Sequence, residues 1–163
     1  TPLYSSAASD VYKRQVGGRI THVMAEYLFL HAQIIRPRVT HIQSTSNAWP
    51  HYLLDVGEGD VFVIFDVRRY ENNTLKLAEM AHARGAKIIL FTDQWRSPVH
   101  SLADICFSSR IVAPSAWDSA AATLLLVESV ISAMQDINWA DTKDRAERLE
   151  DMFDQTRLFR KFT

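Results

Sequence analysis

Two unbroken apolar runs, Val61 to Phe65 and Ile88 to Phe91, constrain the fold more than any other feature of the chain. A strand with one wet face alternates apolar and polar residues, whereas a continuous run marks a strand whose sheet is covered on both faces. Between the runs lies a helix-forming stretch, which Asn72 or Asn73 caps and Gly85 stops. Strand, helix and strand at this spacing make a βαβ unit, which requires parallel pairing. The flanking sequence repeats the theme. Val16 ends a first strand, Val39 to Ile42 forms a short one and Ile105 to Val112 another. Helices are expected over 21 to 35, ending before Pro37, briefly over 48 to 55, and over 115 to 134 with Asp118 or Ser119 as cap. A last, charged amphipathic helix over 141 to 159 places Ala146, Leu149, Met152, Phe153 and Phe159 on one side. The fold class this pattern predicts is α/β: a doubly wound, mostly parallel five-stranded sheet with helices on both faces.

Composition limits what such a chain does. Its 163 residues suit a single core. Eighteen Lys and Arg against nineteen Asp and Glu give a net charge of -1, which removes the broad electrostatic footprint of a domain that grips nucleic acid by itself. One cysteine, Cys106, excludes an internal disulfide and fits a cytoplasmic, reducing setting. No Cys/His cluster has zinc spacing, so neither metal nor cofactor is expected. No apolar run approaches the ~18 residues of a spanning helix.

The organisation read from pattern has three parts. Residues 1 to 15 (TPLYSSAASDVYKRQ) read as a non-native or disordered leader that replaces part of the first strand. They resemble translated adapter read-through, which would leave the natural upstream sequence missing. The alternative is a genuine short strand over 11 to 16 behind a frayed terminus. Residues 16 to 138 form the domain, and 139 to 163 a C-terminal helix packed on it or on a partner subunit.

In doubly wound sheets ligands bind outside the carboxyl ends of the strands, so the loops there carry the functional reading. Gly17-Gly18-Arg19-Ile20-Thr21 joins a strand end to a helix start, where amides, a guanidinium and a hydroxyl suit an anion such as phosphate; tight turning alone also explains the glycines. It is not a G-x-G-x-x-G fingerprint, and no P-loop motif occurs in the chain. Ser44-Thr45-Ser46 clusters hydroxyls that suit a polyol or phosphate, or ordinary turn chemistry. The strongest signal is Asp66-Val67-Arg68-Arg69-Tyr70-Glu71-Asn72-Asn73-Thr74, which sets paired guanidinium forks after the most buried strand. Its alternatives are a solvated loop, or salt bridges from Arg68 or Arg69 to Asp66, Glu71 or a partner subunit, one arginine being structural while the other meets ligand. Asp93 and Ser115 begin two further loops with capping as the competing role. The candidate ligand residues are therefore Gly17, Gly18, Arg19, Thr21, Ser44, Thr45, Ser46, Asp66, Arg68, Arg69, Asn73, Thr74 and Ser115.

The catalytic inventory is thin, and no catalytic residue is assigned. Cys106 lies in an apolar run and reads as packing. The histidines are scattered without ligand spacing, His22 alone standing in a candidate loop. Glu128, within the apolar stretch 124 to 131, reads as a general base or as a structural partner of an arginine. Trp49, Trp95, Trp117 and Trp139 read as core and interface residues.

Five ordered motifs join into one resemblance. Gly-Gly-Arg-x-Thr at 17 to 21, Gly-x-Gly-Asp at 57 to 60, Phe-Asp-Val-Arg-Arg-Tyr at 65 to 70, Thr-Asp-x-Trp-x-Ser-Pro at 92 to 98 and Pro-Ser-x-x-Asp-Ser at 114 to 119 resemble the sugar isomerase (SIS) domain of RpiR-type bacterial transcriptional regulators. The resemblance covers about residues 16 to 160 and implies a flavodoxin-like fold, a homodimer or higher homo-oligomer, and sensing of a phosphosugar or related anionic carbohydrate derivative. It also implies a helix-turn-helix domain upstream, so DNA would be met only through a part missing here, and no membrane is involved. The family's loops are rich in serine, with Ser-x-Ser-Gly after the third strand, where this chain has Asp66 to Arg69. That departure opens the ligand to a carboxylated metabolite as well as a sugar phosphate. Two other functions stay open: an aldose-ketose phosphosugar isomerase, and a structural dimerisation module with a vestigial pocket.

Overall fold

The apolar runs of the sequence sit at the centre of one sheet. In a computed structural model, which describes residues 11 to 43, 45 to 137 and 139 to 160, the strands are β1 (Lys13–Gly17), β2 (Val39–His41), β3 (Val61–Phe65), β4 (Lys87–Asp93) and β5 (Ile105–Ser109). Their order is β2-β1-β3-β4-β5, and every pairing is parallel. The helices are α1 (His22–Ile35), α2 (Trp49–Leu53), α3 (Asn72–His82), α4 (Ala121–Ile137) and α5 (Trp139–Thr156). Short 3-10 turns at Ser46–Ala48 and Pro98–Leu102 complete the chain.

Side chains alternate across β3 and β4 and so divide between two cores. Phe62, Ile64, Ile88 and Leu90 pack with Leu77, Ala78 and Ala81 of α3 and with Trp49 and Leu53 of α2. Val63, Phe65 and Phe91 pack on the opposite face with Met24, Ala25 and Leu28 of α1 and Val127 and Ile131 of α4. Phe65, Phe91 and Phe107 stack across three neighbouring strands, with centroid spacings of 4.7 and 4.9 Å. Gly85 takes φ 86°, which ends the α3 segment and turns the chain into β4.

Several boundaries differ from those expected. Lys13 to Gln15 pair with β2 and β3, so the sheet begins before residue 16. The buried Arg14 is accommodated there by Asp60, 2.5 Å away. Residues 1 to 10 of the expected leader lie outside the described residues. α3 is preceded by Glu71, and Asn72 and Asn73 both fall inside the helix. β5 ends at Ser109 and α4 starts only at Ala121, because the backbone N–H of Ser119 bonds back to the Ile111 carbonyl and Pro114 interrupts the segment. In α5 the expected apolar side is only partly covered: Met152 stays half exposed, and Phe159 lies beyond the helix with its ring edge-on to Phe153. Among the described residues no helix is long and apolar enough to cross a membrane.

Candidate functional site

The chain reverses direction across the sheet between β1 and β3, since β2 lies on one side of β1 and β3 on the other. The loops after β1 and β3 therefore part at the switch point, where such sheets leave a crevice. A cavity of about 610 Å³ opens there, lined by both loops and by the segment between β5 and α4.

The first wall is the β1 turn. A Cβ at Gly17 would lie 2.5 Å from the Thr21 carbonyl carbon and oxygen, so only glycine lets the strand end meet the helix start. Thr21 Oγ1 donates to the Phe65 carbonyl at 2.8 Å and ties this turn to the end of β3. The His22 ring Nδ1 lies 2.7 Å from the Arg19 carbonyl oxygen. Arg19 and Ile20, both exposed, then line the cavity.

The second wall is held by two buried carboxylates. Asp93, fully buried, accepts the backbone N–H of Arg68 at 2.7 Å, the Tyr70 hydroxyl at 2.6 Å, and the backbone N–H groups of Trp95 and Arg96 at 2.9 and 3.2 Å. Burial first, and the bond to Asp93 second, push the Tyr70 hydroxyl well above the usual tyrosine range. Asp66 accepts the Ser97 hydroxyl, and Thr92 donates to the Asp66 carbonyl at 2.7 Å. Burial raises the Asp66 carboxyl to about 6, with Glu71 and Asp93 adding to the rise, while the Ser97 hydroxyl and the Glu71 N–H oppose it. With the loop backbone fixed this way, Arg68 and Arg69 stand outward on the cavity wall.

Their side chains then differ. Arg68 Nη2 meets Asp118 Oδ1 at 3.0 Å, and its guanidinium lies 4.7 Å from the Trp95 ring centroid. Among the described residues, neither the Arg69 guanidinium nor that of Arg19 meets a carboxylate. The third wall is the extended segment before α4, where Ile111, Trp117, Asp118 and Ser119 line the space. Trp117 is 80% exposed, a large apolar ring offered to the opening.

The structure thus gathers Arg19, Thr21, Arg68 and Arg69 from the candidate residues around one cavity. Gly17 and Gly18 shape its first turn without lining it, and Asp66 faces inward as a scaffold. Ser46 accepts a bond from Asn73 Nδ2 at 3.1 Å away from the cavity, and Thr45 is exposed. Thr74 is buried in the first turn of α3, its hydroxyl without a partner. Ser115 accepts the Trp117 N–H at 3.1 Å in its own turn and does not line the cavity. Ser44 lies outside the described residues. Sequence reasoning passed over Trp117 and Asp118 as packing and capping residues. Trp117 was signalled by its place in the loop after the last strand, at the same edge as the other clusters, and Asp118 also by the Pro-Ser-x-x-Asp-Ser motif at 114 to 119.

The profile of the SIS domain family matches residues 15–133. A sequence search of the curated proteins finds no match. Among solved structures, the sugar isomerase domain of an RpiR transcription factor from Sphaerobacter thermophilus superposes with TM-score 0.81 at 16% identity, covering 88% of this chain and 80% of that one. The Vibrio vulnificus NanR protein, complexed with ManNAc-6P, superposes with TM-score 0.74 at 14% identity over 90% of this chain and 57% of its own. A candidate sugar-phosphate isomerase from Listeria monocytogenes gives TM-score 0.62 at 19% identity over 80% of this chain and 71% of its own. Likeness at these identities speaks to the fold, which regulators and isomerases share.

Proposed function

The chain belongs to the SIS domain family, and from that premise we propose that it is the ligand-sensing and dimerisation domain of a cytoplasmic transcriptional regulator. Its ligand is a phosphosugar or similar anionic carbohydrate derivative, held in the cavity at the carboxyl ends of β1 and β3. The observation that carries this reading is the pair Arg19 and Arg69, which come from opposite sides of the switch point, face one cavity, and have no carboxylate partner among the described residues. Guanidinium forks match phosphate and carboxylate oxygens, and Trp117 offers an apolar face to a sugar ring. The similarity to a transcription factor domain and to the NanR protein complexed with ManNAc-6P supports the same reading.

For sensing, the ligand must bind two arrangements of the protein with different affinity. The segment 110 to 120 connects the cavity to α4 directly, so a ligand that reorders it shifts α4 against α1. Exposed Val23 and Leu30 on α1 and Leu125 on α4 provide apolar surface for a second copy of the chain. The signal then passes to a helix-turn-helix domain of the kind found in RpiR-type regulators. The isomerase alternative needs a base at the reacting carbons. Glu128 instead accepts the Tyr27 hydroxyl at 3.0 Å and does not line the cavity, and Asp118 is committed to Arg68.

The test is a thermal-shift panel of glucose 6-phosphate, N-acetylmannosamine 6-phosphate and their unphosphorylated parents. A ligand at a hundred times its Kd stabilises the fold by about 2.7 kcal/mol, a rise of several degrees in Tm. At least one phosphorylated sugar should produce it while its parent does not, and none should be turned over. Equal shifts with the neutral sugars, or no shift with any anion, would contradict the reading.

A further inference from the structure

Two glycines followed by amides at the head of a helix make a turn of the kind that holds anions. In this chain a carboxylate of the protein itself is seated there. Glu71 Oε1 accepts the Arg19 backbone N–H at 3.0 Å. It sits so close to the turn that a Cβ on Gly18 would lie 2.5 Å from the same oxygen and 2.8 Å from the carboxyl carbon. Glycine at 18 therefore makes room for Glu71.

Glu71 is delivered by a fixed stretch of backbone. Asp93 holds the chain at Arg68 and Tyr70, and the Glu71 carbonyl accepts the N–H groups of Thr74 and Leu75 at 3.0 and 3.3 Å as α3 begins. A balance of charge follows. The Arg19 N–H of the turn is taken by Glu71 and Arg68 is neutralised by Asp118, which leaves Arg19 and Arg69, among the described residues that line the cavity, as cations without a carboxylate partner. A ligand phosphate brought to the turn would meet the Glu71 oxygens at contact distance, a repulsion between like charges.

Resting on the reading of the cavity as an anion site, we propose that Glu71 is a specificity-determining residue: its carboxylate fills the Gly17-Gly18 turn from within, bars a ligand's phosphate or carboxylate from it, and confines that anion to Arg19 and Arg69. The ligand class is narrowed accordingly. It carries its anion at one end, toward the guanidinium pair, and presents hydroxyl donors, which a carboxylate accepts well, toward Glu71. A polyol or sugar ring with a single terminal phosphate or carboxylate meets both demands.

Calorimetric titration of inorganic phosphate and of glucose 6-phosphate into wild type, Glu71→Ala and Glu71→Gln tests this. Glutamine keeps the volume and the acceptor while removing the charge, so it separates repulsion from occupancy and guards against a loss of structure in the alanine variant. Both variants should bind inorganic phosphate more tightly than wild type, by about tenfold or more for Glu71→Ala. The loss caused by Arg69→Ala should shrink in the Glu71→Ala background, because the opened turn then shares the anion. If wild type binds phosphate and neither Glu71 variant binds it more tightly, the role of Glu71 is overturned while the anion site stands. If wild type binds no anion and Glu71→Ala does, Glu71 is upheld as the group that bars anions from the turn, while the confinement to Arg19 and Arg69 and the ligand reading both fall. Absence of binding in all three overturns both.

Discussion

Arg68 and Arg69 leave the same strand side by side, yet the fold gives them different partners. Asp118 and the Trp95 ring take up Arg68, and Arg69 is left to the cavity. The sequence marked both as phosphate-suited forks and could not divide their roles, because the deciding carboxylate lies 50 positions further on. Separate substitutions should show the division. Arg69→Ala should weaken binding of an anionic sugar about tenfold or more with stability near wild type. Arg68→Ala should cost about 0.5–1 kcal/mol of stability, the scale of an exposed ion pair with a cation–π contact. Calorimetry and urea denaturation measure the two effects. Asp66 provides a pH signature of the scaffold behind them. Its folded carboxyl titrates at about 6 against 3.8 for an ordinary aspartate, so the folded state keeps a proton that the unfolded chain has released between those values. Stability from this group is full below pH 3.8 and falls as pH rises to 6, by on the order of 2–3 kcal/mol. Denaturation midpoints measured across that window should fall less steeply in Asp66→Asn; an unchanged slope would show that the carboxyl is not raised.

Among elements, the central strands were the most legible and the helix starts the least. β3 and β4 were readable because burial on both faces leaves no polar alternation, a pattern that few other structures tolerate. Phe91 shows how strongly that burial is used: it is 1% exposed and stacks between Phe65 and Phe107. Phe91→Ala should therefore destabilise the domain by about 3–5 kcal/mol in chemical denaturation. The start of α4 was misread because Ser115, Asp118 and Ser119 all have the chemistry of caps. Their actual bonds are to Trp117, Arg68 and Ala121. Only the last is a bond into the helix, and Ala116 to Ala120 became cavity wall instead. A similar competition explains Ser97, whose hydroxyl both accepts the Val99 N–H at 3.1 Å and donates to Asp66. Ser97→Ala should cost about 1–2 kcal/mol in the same assay, since it removes a cap and leaves a buried carboxylate short of a donor.

At the scale of the whole molecule, the candidate site depends on strand order. Parallel pairing of β1 with both β2 and β3 sets the Gly17 turn beside the Arg68-Arg69 loop, although 50 residues separate Gly18 from Arg68 in the chain. Of the five ordered motifs, those at 17 to 21, 65 to 70, 92 to 98 and 114 to 119 follow strands and meet at the edge that holds the cavity, whereas Gly57 to Asp60 precedes β3 and lies at the opposite end of the sheet, where Asp60 pairs with Arg14. Within that edge, position along the chain could not say which hydroxyls face inward. Thr74, Ser46 and Ser115 are turned elsewhere by helix packing and local bonds, and Glu71 reaches across to a turn that sequence alone offered to a ligand. The most direct measurement is a 15N–1H titration of the indole N–H signals with a phosphorylated hexose, because the four tryptophans report from different places. Trp117 lines the cavity and Trp95 stacks on Arg68, whereas Trp49 is buried with its indole bonded to the Gln43 carbonyl and Trp139 stands on α5. Binding at the switch point predicts that Trp117 moves most, Trp95 follows, and Trp49 and Trp139 stay in place. Saturable shifts confined to Trp139 or Trp49, with Trp117 unmoved, would put the ligand elsewhere.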